Sequence, residues 1–387
     1  MKNVHTLFSV AAILFCSLAV AQNETNKFQG IDTGIFEDNA HHWYDILEKE
    51  AVIHPRPSRP KYKATELKAI ADNILLYQKN NGGWPKNYDV QAILTTAQKD
   101  TLLFVKNAIN TTFDNRSTYS HIACLSSVYS VIKDERYKEA AMKGLDFIVK
   151  AQYANGGWPQ YFPLQKKNYS SHITFNDDAM AGILKLLKDI SDGKLQYNFI
   201  DEKNKQQLKN AFDKGLACIL KMQINDAGKP TAWCQQHDEV TLEPAWARKF
   251  EPPSICNGES VNIVLLLMSI KHPSKEIIAA VDNAVAWFNE SKILYTREKT
   301  IKVKDTTFQY HSTNRDKIIV TDSAAPPIWT RYYELKTHRP VFCNRDSKLV
   351  YSLADVAMER RTGYGWYTYA PQRVLNRYED WKRKLGK

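Results

Sequence analysis

The sequence predicts an all-α protein: an (α/α) toroid, an incomplete barrel of helical hairpins with long loops and minor β-hairpin content. Three observations carry this. From Thr65 onward the apolar residues keep a helical period, as in Leu67, Ile70, Ala71, Ile74 and Leu75, or Tyr137, Ala141, Leu145, Ile148 and Val149. The segment Asn81-Gly82-Gly83-Trp84-Pro85 returns as Asn155-Gly156-Gly157-Trp158-Pro159, 74 positions later. Period-two alternation is scarce, a hairpin around Thr300–Val320 being the main exception.

Residues 1–21 read as a signal peptide. Lys2 gives a positive start, Leu7 to Val20 is an apolar run, and Ala19-Val20-Ala21 supplies the small-x-small cleavage pattern. The run is too short to cross a bilayer as a helix, and no later stretch is long and apolar enough for a membrane span. The expected product is exported, either periplasmic or extracellular, and monomeric. Residues 22–60 form a polar lead-in that ends in the proline-punctuated His54-Pro55-Arg56-Pro57-Ser58-Arg59-Pro60. Residues 61–387 make up the expected catalytic domain.

Within that domain the repeat orders the helices. Gln78 and Gln152 precede the two Asn-Gly-Gly-Trp copies at matching distance, and Gln223, Gly228 and Trp233 form a degenerate third copy. A period near 70 exceeds the common solenoid repeats and fits a helical hairpin plus a working loop. The Asn-Gly-Gly-Trp segments follow the ends of outer helices. Three polar segments open the inner ones: Thr111-Thr112-Phe113-Asp114-Asn115, Thr174-Phe175-Asn176-Asp177-Asp178 and Gly258-Glu259-Ser260. Hairpin geometry then brings all of them to one rim of the ring, the candidate site.

The formal charge is +11, and loss of residues 1–21 removes only Lys2 among charged side chains, leaving +10. A basic exported chain suits an anionic partner. Lys/Arg blocks interleaved with aromatics, which track single strands, are missing, so nucleic acid is not the expected partner. Apart from Cys16, the cysteines are Cys124, Cys218, Cys234, Cys256 and Cys343. An odd number at irregular spacing is a poor disulfide framework and holds no zinc pattern. Buried thiols are expected, with Cys234–Cys256 the pair to test for a bridge.

Four constellations on the rim have chemistry to offer. Asp114, Asp177 and Asp178 on successive repeats make an oxygen-rich site for a hard cation; the competing reading is helix capping. Arg248 sits in Ala247-Arg248-Lys249-Phe250-Glu251-Pro252-Pro253-Ser254, a loop stiffened by two prolines, with a plain ion pair to Glu251 as the alternative. Arg331 and Arg345 present planar forks suited to carboxylates, or to structural ion pairs. Trp84, Trp158 and Trp233 offer faces for sugar stacking, or ordinary loop packing.

Together these segments resemble the family 10 polysaccharide lyases, the pectic acid lyases, over roughly residues 60–385. The resemblance rests on Leu76-Tyr77-Gln78 running into Asn81-Gly82-Gly83-Trp84-Pro85-Lys86, on Thr112-Phe113-Asp114-Asn115, and on the second Asn-Gly-Gly-Trp-Pro-Gln copy. It continues through Ile173-Thr174-Phe175-Asn176-Asp177-Asp178-Ala179-Met180, Trp233-Cys234-Gln235-Gln236-His237-Asp238, Ala247-Arg248 and the Arg331/Arg345 pair. It implies β-elimination on polygalacturonate, with Arg248 as Brønsted base taking the C5 proton and Ca2+ on the uronate carboxylate. It further implies substrate or calcium roles for Asp114 and the Asp177/Asp178 pair, and carboxylate binding by Arg331 and Arg345; Trp158 and Trp233 are carried as candidate sugar contacts. Arg116, where the pattern has a smaller residue, and Cys256-Asn257 before Gly258-Glu259-Ser260 are departures expected to alter subsite preference. Two other functions fit the same residues. One is an inverting glycoside hydrolase using Asp114 with Asp177 or Asp178, which needs two carboxyls roughly 6.5–9.5 Å apart. The other is a non-catalytic binder of acidic glycans.

Overall fold

The structure is a computed structural model that describes residues 30–44, 59–164, 168–309 and 311–386. The expected signal peptide and most of the proline-punctuated linker lie outside the described residues. The helices are α1 (Glu37–Tyr44), α2 (Leu67–Tyr77), α3 (Thr96–Phe104), α4 (Tyr119–Ile132), α5 (Glu135–Ala151), α6 (Ala179–Ser191), α7 (Glu202–Met222), α8 (Asn257–Met268), α9 (Lys275–Glu290), α10 (Met358–Thr362) and α11 (Gln372–Lys384). None of them is long and apolar enough to cross a membrane.

Three hairpins build an open ring: α4 packs on α5, α6 on α7 and α8 on α9. The first helices of the hairpins follow one another along the inside, α4 against α6 and α6 against α8. Outside them run α2, α5, α7 and α9, and α11 closes the far end against α8 and α9. Outer helices start on side-chain caps, where Asp134, Asp201 and Ser274 accept backbone N–H bonds from Arg136, Asn204 and Ile277. Their apolar stripes, such as Tyr137, Ala141, Leu145 and Ile148 on α5, face the core.

The repeated motif stitches this ring together. Trp84, Trp158 and Trp233 are fully buried, and each donates its indole N–H over 2.8 Å to a carbonyl on the preceding outer helix, those of Ile74, Ile148 and Ile219. Gln78, Gln152 and Gln223 each bridge their own loop to the next outer helix, through the carbonyls of Ala140, Ala211 and Ala280. The degenerate third copy is therefore a true structural repeat. Trp329, which donates to the Phe288 carbonyl over 2.8 Å, adds a fourth that lacks the glycines. Gly82 and Gly156 have φ of +97° and +100°, and a Cβ on either would lie 2.2–2.3 Å from a carbonyl oxygen of the neighbouring outer helix. Both constraints demand glycine.

Strands are few and short apart from Thr296–Thr307 paired with Ser312–Thr321, the hairpin expected around Thr300–Val320. Two short pairings matter for the site. Ile173–Thr174 pairs with Gln236–His237, and Ile255–Cys256 pairs with Tyr332–Tyr333. The five cysteines among the described residues are buried free thiols; Cys234 and Cys256 approach one another without forming a bridge.

Candidate active site

Each inner helix begins on the same rim, and its first residues carry the polar groups. Asp114 lies in a 3-10 turn before α4, Asp177 and Asp178 in the equivalent turn before α6, and Glu259 in the first turn of α8. The turns are sharply bent: Asn115, Asp177 and Asp178 have φ of 47°, 53° and 61°, the left-handed region that non-glycine residues seldom adopt. Such strain clusters where a fold holds side chains for use.

These turns and the loops after α7 and α9 enclose a cleft of about 870 Å³, with Asp114, Asp177, Arg248, Arg331 and Tyr364 on its walls. Asp114 is buried, receiving Lys86 Nζ at 2.8 Å on one oxygen and Gln160 Nε2 at 2.8 Å on the other. Its carboxyl lies against that of Asp177, close enough for each to shift the other. Burial works to raise the Asp114 pKa, but the Lys86 charge, the adjacent Asp177 carboxyl and the bonds from Lys86 and Gln160 prevail and hold it well below the carboxylate range. Asp177 goes the other way: burial and the Asp114 charge push it well up. Asp178 lines an adjoining pocket with Asp177 and Glu259, held by Asn262 Nδ2 at 2.5 Å and by Arg116 Nη2 at 3.4 Å.

The donor set is hard oxygen, and two facing carboxyls share too little positive charge for both to ionise. That is the chemistry a calcium ion relieves, so Asp114 and Asp177 fit the expected metal. A cluster of His172, Asp238 and Glu239 also has ligating atoms close together, but its His172 Nδ1 is already 2.8 Å from Glu239 Oε2.

Across the cleft, Arg248 stands at the mouth with its side chain 45% exposed. Its Nε and Nη2 bind the two oxygens of buried Glu251, at 2.8 and 2.5 Å, and Tyr364 donates its hydroxyl to the same carboxylate over 2.8 Å. Burial alone would lower the Arg248 pKa, but the Glu251 carboxylate raises it, so in this arrangement the guanidinium is a cation. Arg331 lies deeper. It bonds to Asn176 Oδ1 at 2.8 Å and to Glu259, and its guanidinium sits 4.5 Å over the Tyr364 ring.

The structure thus brings Asp114, Asp177, Arg248 and Arg331 together and leaves others out. Trp158 and Trp233, carried as sugar contacts, need correction: both are 0% exposed, with the indole N–H bound inside the fold, so no face is open to a sugar ring. Arg345 is not on the cleft wall. Both arms of its fork bind Glu359 at 2.9 Å, and its guanidinium lies 5.1 Å from the Phe250 ring, which packs within 5.0 Å of Arg248. Arg345 and Arg248 thus both approach the Phe250 ring. The hydrolase reading also loses its Asp114/Asp177 geometry, since two carboxyls lying against each other leave no room for the sugar bond and water that separate an acid from a base.

Sequence reasoning missed the residues that hold these four: Lys86 and Gln160 on Asp114, Glu259 on Arg331, and Tyr364 on Glu251. Gln160 had a signal, because it follows the second Trp-Pro and is fixed by the Phe113 N–H donating to its carbonyl over 3.0 Å. Tyr364 had none, since it reaches the cleft from beyond the hairpin.

Comparison with known proteins agrees with this geometry. Curated protein sequences give no match. Among solved structures, the family 10 polysaccharide lyase from Cellvibrio cellulosa aligns with a TM-score of 0.68 and 28% identity, over 91% of this chain and 98% of that one. A mutant of that lyase in complex with trigalacturonic acid aligns with the same score and identity, over 89% of this chain and 98% of that one. The model of the pectic acid lyases matches residues 78–375, which include every residue placed on the cleft except those of α1. With the match spanning most of its length, this chain belongs to the pectic acid lyase family.

Proposed function

We propose that this polysaccharide lyase cleaves polygalacturonate by β-elimination, with Arg248 as the base and Ca2+ as the cofactor, after export directed by residues 1–21. The observation that carries the reading is that Arg248, Arg331, Asp114 and Asp177 line a single cleft, with Arg331 bonded to the Asn176 that precedes Asp177.

A proton α to a carboxylate is weakly acidic because the charge left behind is costly. Asp114 and Asp177 would hold the calcium ion, which would supply positive charge to the uronate carboxylate and so favour that developing charge. Arg331, fixed by Glu259, Asn176 and the Tyr364 ring, is already oriented to bind the same carboxylate without reorganising. Arg248 takes the C5 proton, the C4–O4 bond breaks to leave a C4=C5 double bond, and the departing oxygen takes a proton from water. For this Arg248 must first be neutral. Burial favours that and Glu251 opposes it more strongly, so turnover should rise toward alkaline pH. Asp178 and Arg116, in the pocket that adjoins the cleft at Asp177, fit a neighbouring subsite.

The experiment is to incubate the mature protein with polygalacturonate and follow the ultraviolet absorbance of the unsaturated product, with and without a calcium chelator. A lyase gives absorbance that the chelator abolishes. Reducing ends without absorbance would point to a hydrolase, and neither signal to a binding protein.

A further inference from the structure

We infer that Asn39, on helix α1 of the lead-in, is a positioning residue of the active site. This rests on the reading of Asp114 as part of a calcium site. Helix α1 precedes the part of the chain that matches the family. Its polar sequence, Glu37-Asp38-Asn39-Ala40-His41-His42-Trp43-Tyr44, gives no sign of a core element. Yet Phe36 and Trp43 are buried in the main core, and between them Asn39 is 1% exposed. A buried amide in a polar helix needs partners, and Asn39 finds them on two backbone segments at once.

Its Nδ2 donates to the Asn115 carbonyl over 2.6 Å, and its Oδ1 accepts the Asn87 N–H at 2.8 Å. Asn115 then donates its own Nδ2 to Asn87 Oδ1 over 2.8 Å, closing a triangle of three buried amides. Both contacted backbones are left-handed, with φ of 65° at Asn87 and 47° at Asn115, and Arg116 and Thr118 follow at 59° and 64°. Conformations of this kind persist only where the surroundings over-determine them. The residue before Asn87 is Lys86 and the residue before Asn115 is Asp114, the two ends of the 2.8 Å ion pair. One side chain therefore ties together the two strained turns whose preceding residues set the charge and aim of the Asp114 carboxylate. Removing the amide frees both turns, and the oxygen that a cation must find in place no longer has a fixed position.

The test compares Asn39→Ala and Asn39→Asp with the wild type. The aspartate keeps the size and the acceptor for Asn87 but loses the donor to Asn115, so it carries the test if the alanine variant does not fold. Calcium is titrated calorimetrically into chelator-treated protein, and lyase rates are followed against calcium concentration. We expect calcium affinity to fall about 10- to 100-fold, the usual cost of losing an outer partner of a metal ligand. The calcium needed for half-maximal rate should rise in parallel, with kcat recovering at saturating calcium. Trp43→Phe, which thins the packing of the same helix and keeps the amide, should lower the melting temperature and leave calcium affinity unchanged. Wild-type calcium affinity in a folded Asn39 variant overturns the inference. A wild type that neither binds calcium nor needs it for cleavage overturns instead the reading of Asp114 on which the inference rests.

Discussion

The buried carboxyls of Asp114 and Asp177 lie against one another, an arrangement that favours a proton on one of the two in the metal-free protein. Burial and the Asp114 charge raise the Asp177 pKa, while Lys86 keeps Asp114 ionised, so Asp177 holds that proton. Calcium and the proton then compete for the same oxygens. Calcium binding should release about one proton per ion at pH values below the raised Asp177 pKa. Calorimetry in two buffers of different ionisation enthalpy measures this directly, and Asp177→Asn should remove it. The sign for stability follows. A carboxyl whose folded pKa is raised favours the fold fully below its unfolded pKa, and that share is lost as pH rises through the folded value. The metal-free protein should therefore lose stability with rising pH over that window, and calcium should restore it. A buffer-independent enthalpy would remove the proton from Asp177.

Arg248 is held as a cation by a carboxylate that is itself buried, and Glu251 is depressed because Arg248 outweighs its desolvation. Arg248→Ala should lower kcat by about 10²- to 10⁴-fold with little change in substrate affinity, as loss of a general base does. Glu251→Gln gives the sharper result. Losing the carboxylate lowers the Arg248 pKa, so the rising limb of the kcat–pH profile should move to lower pH. A profile that stays in place while activity persists would take the base role away from Arg248.

The buried tryptophans yield a prediction opposite to a sugar-stacking role. Trp158→Phe loses the indole bond to the Ile148 carbonyl and should cost about 1–3 kcal/mol in denaturant unfolding. Trp158→Ala should cost about 3–5 kcal/mol. In both, KM for polygalacturonate should stay within about twofold of wild type. A large KM change in a stably folded variant would return the indole to the substrate.

Why the ring was legible and its lining less so follows from how each is encoded. Helix periodicity and the spacing of Gln78/Trp84, Gln152/Trp158 and Gln223/Trp233 are local signals, and their reuse on successive hairpins fixed which helix ends meet on one rim. Asp114 and Asp177 were readable because equivalent turns carry them. What a side chain touches is set by distant pairings. Arg331 reaches Glu259 because Tyr332–Tyr333 pairs with Ile255–Cys256, and no periodicity announces that register. Arg345 looked equivalent to Arg331 in sequence, but Glu359 on α10 took up its fork. The tryptophans misled because Trp-Pro in a glycine loop looks the same whether its ring turns out toward solvent or in toward a helix. Helix α1 was unreadable as a core element, since its buried contacts run through Asn39 and Trp43, with Phe36 just before it, in a charged stretch.

Arg331 offers the last prediction, because its structural and functional roles separate. Its side chain is 18% exposed and that of Glu259 is 8% exposed, so truncating the arginine leaves a buried carboxylate with no cation. Arg331→Ala should therefore cost about 3–5 kcal/mol of stability, a loss that would confuse any reading of activity. Replacing both partners by uncharged residues of similar volume, Arg331→Met with Glu259→Gln, removes the orphaned charge and should recover most of that stability. It does not restore the charged donors. If Arg331 binds the uronate carboxylate, KM should remain raised about 10- to 100-fold in the double variant, matching the loss of charged hydrogen bonds to substrate. Unfolding in denaturant and initial rates on polygalacturonate measure the two quantities on the same preparation. Recovery of KM together with stability would make Arg331 a structural partner of Glu259 alone.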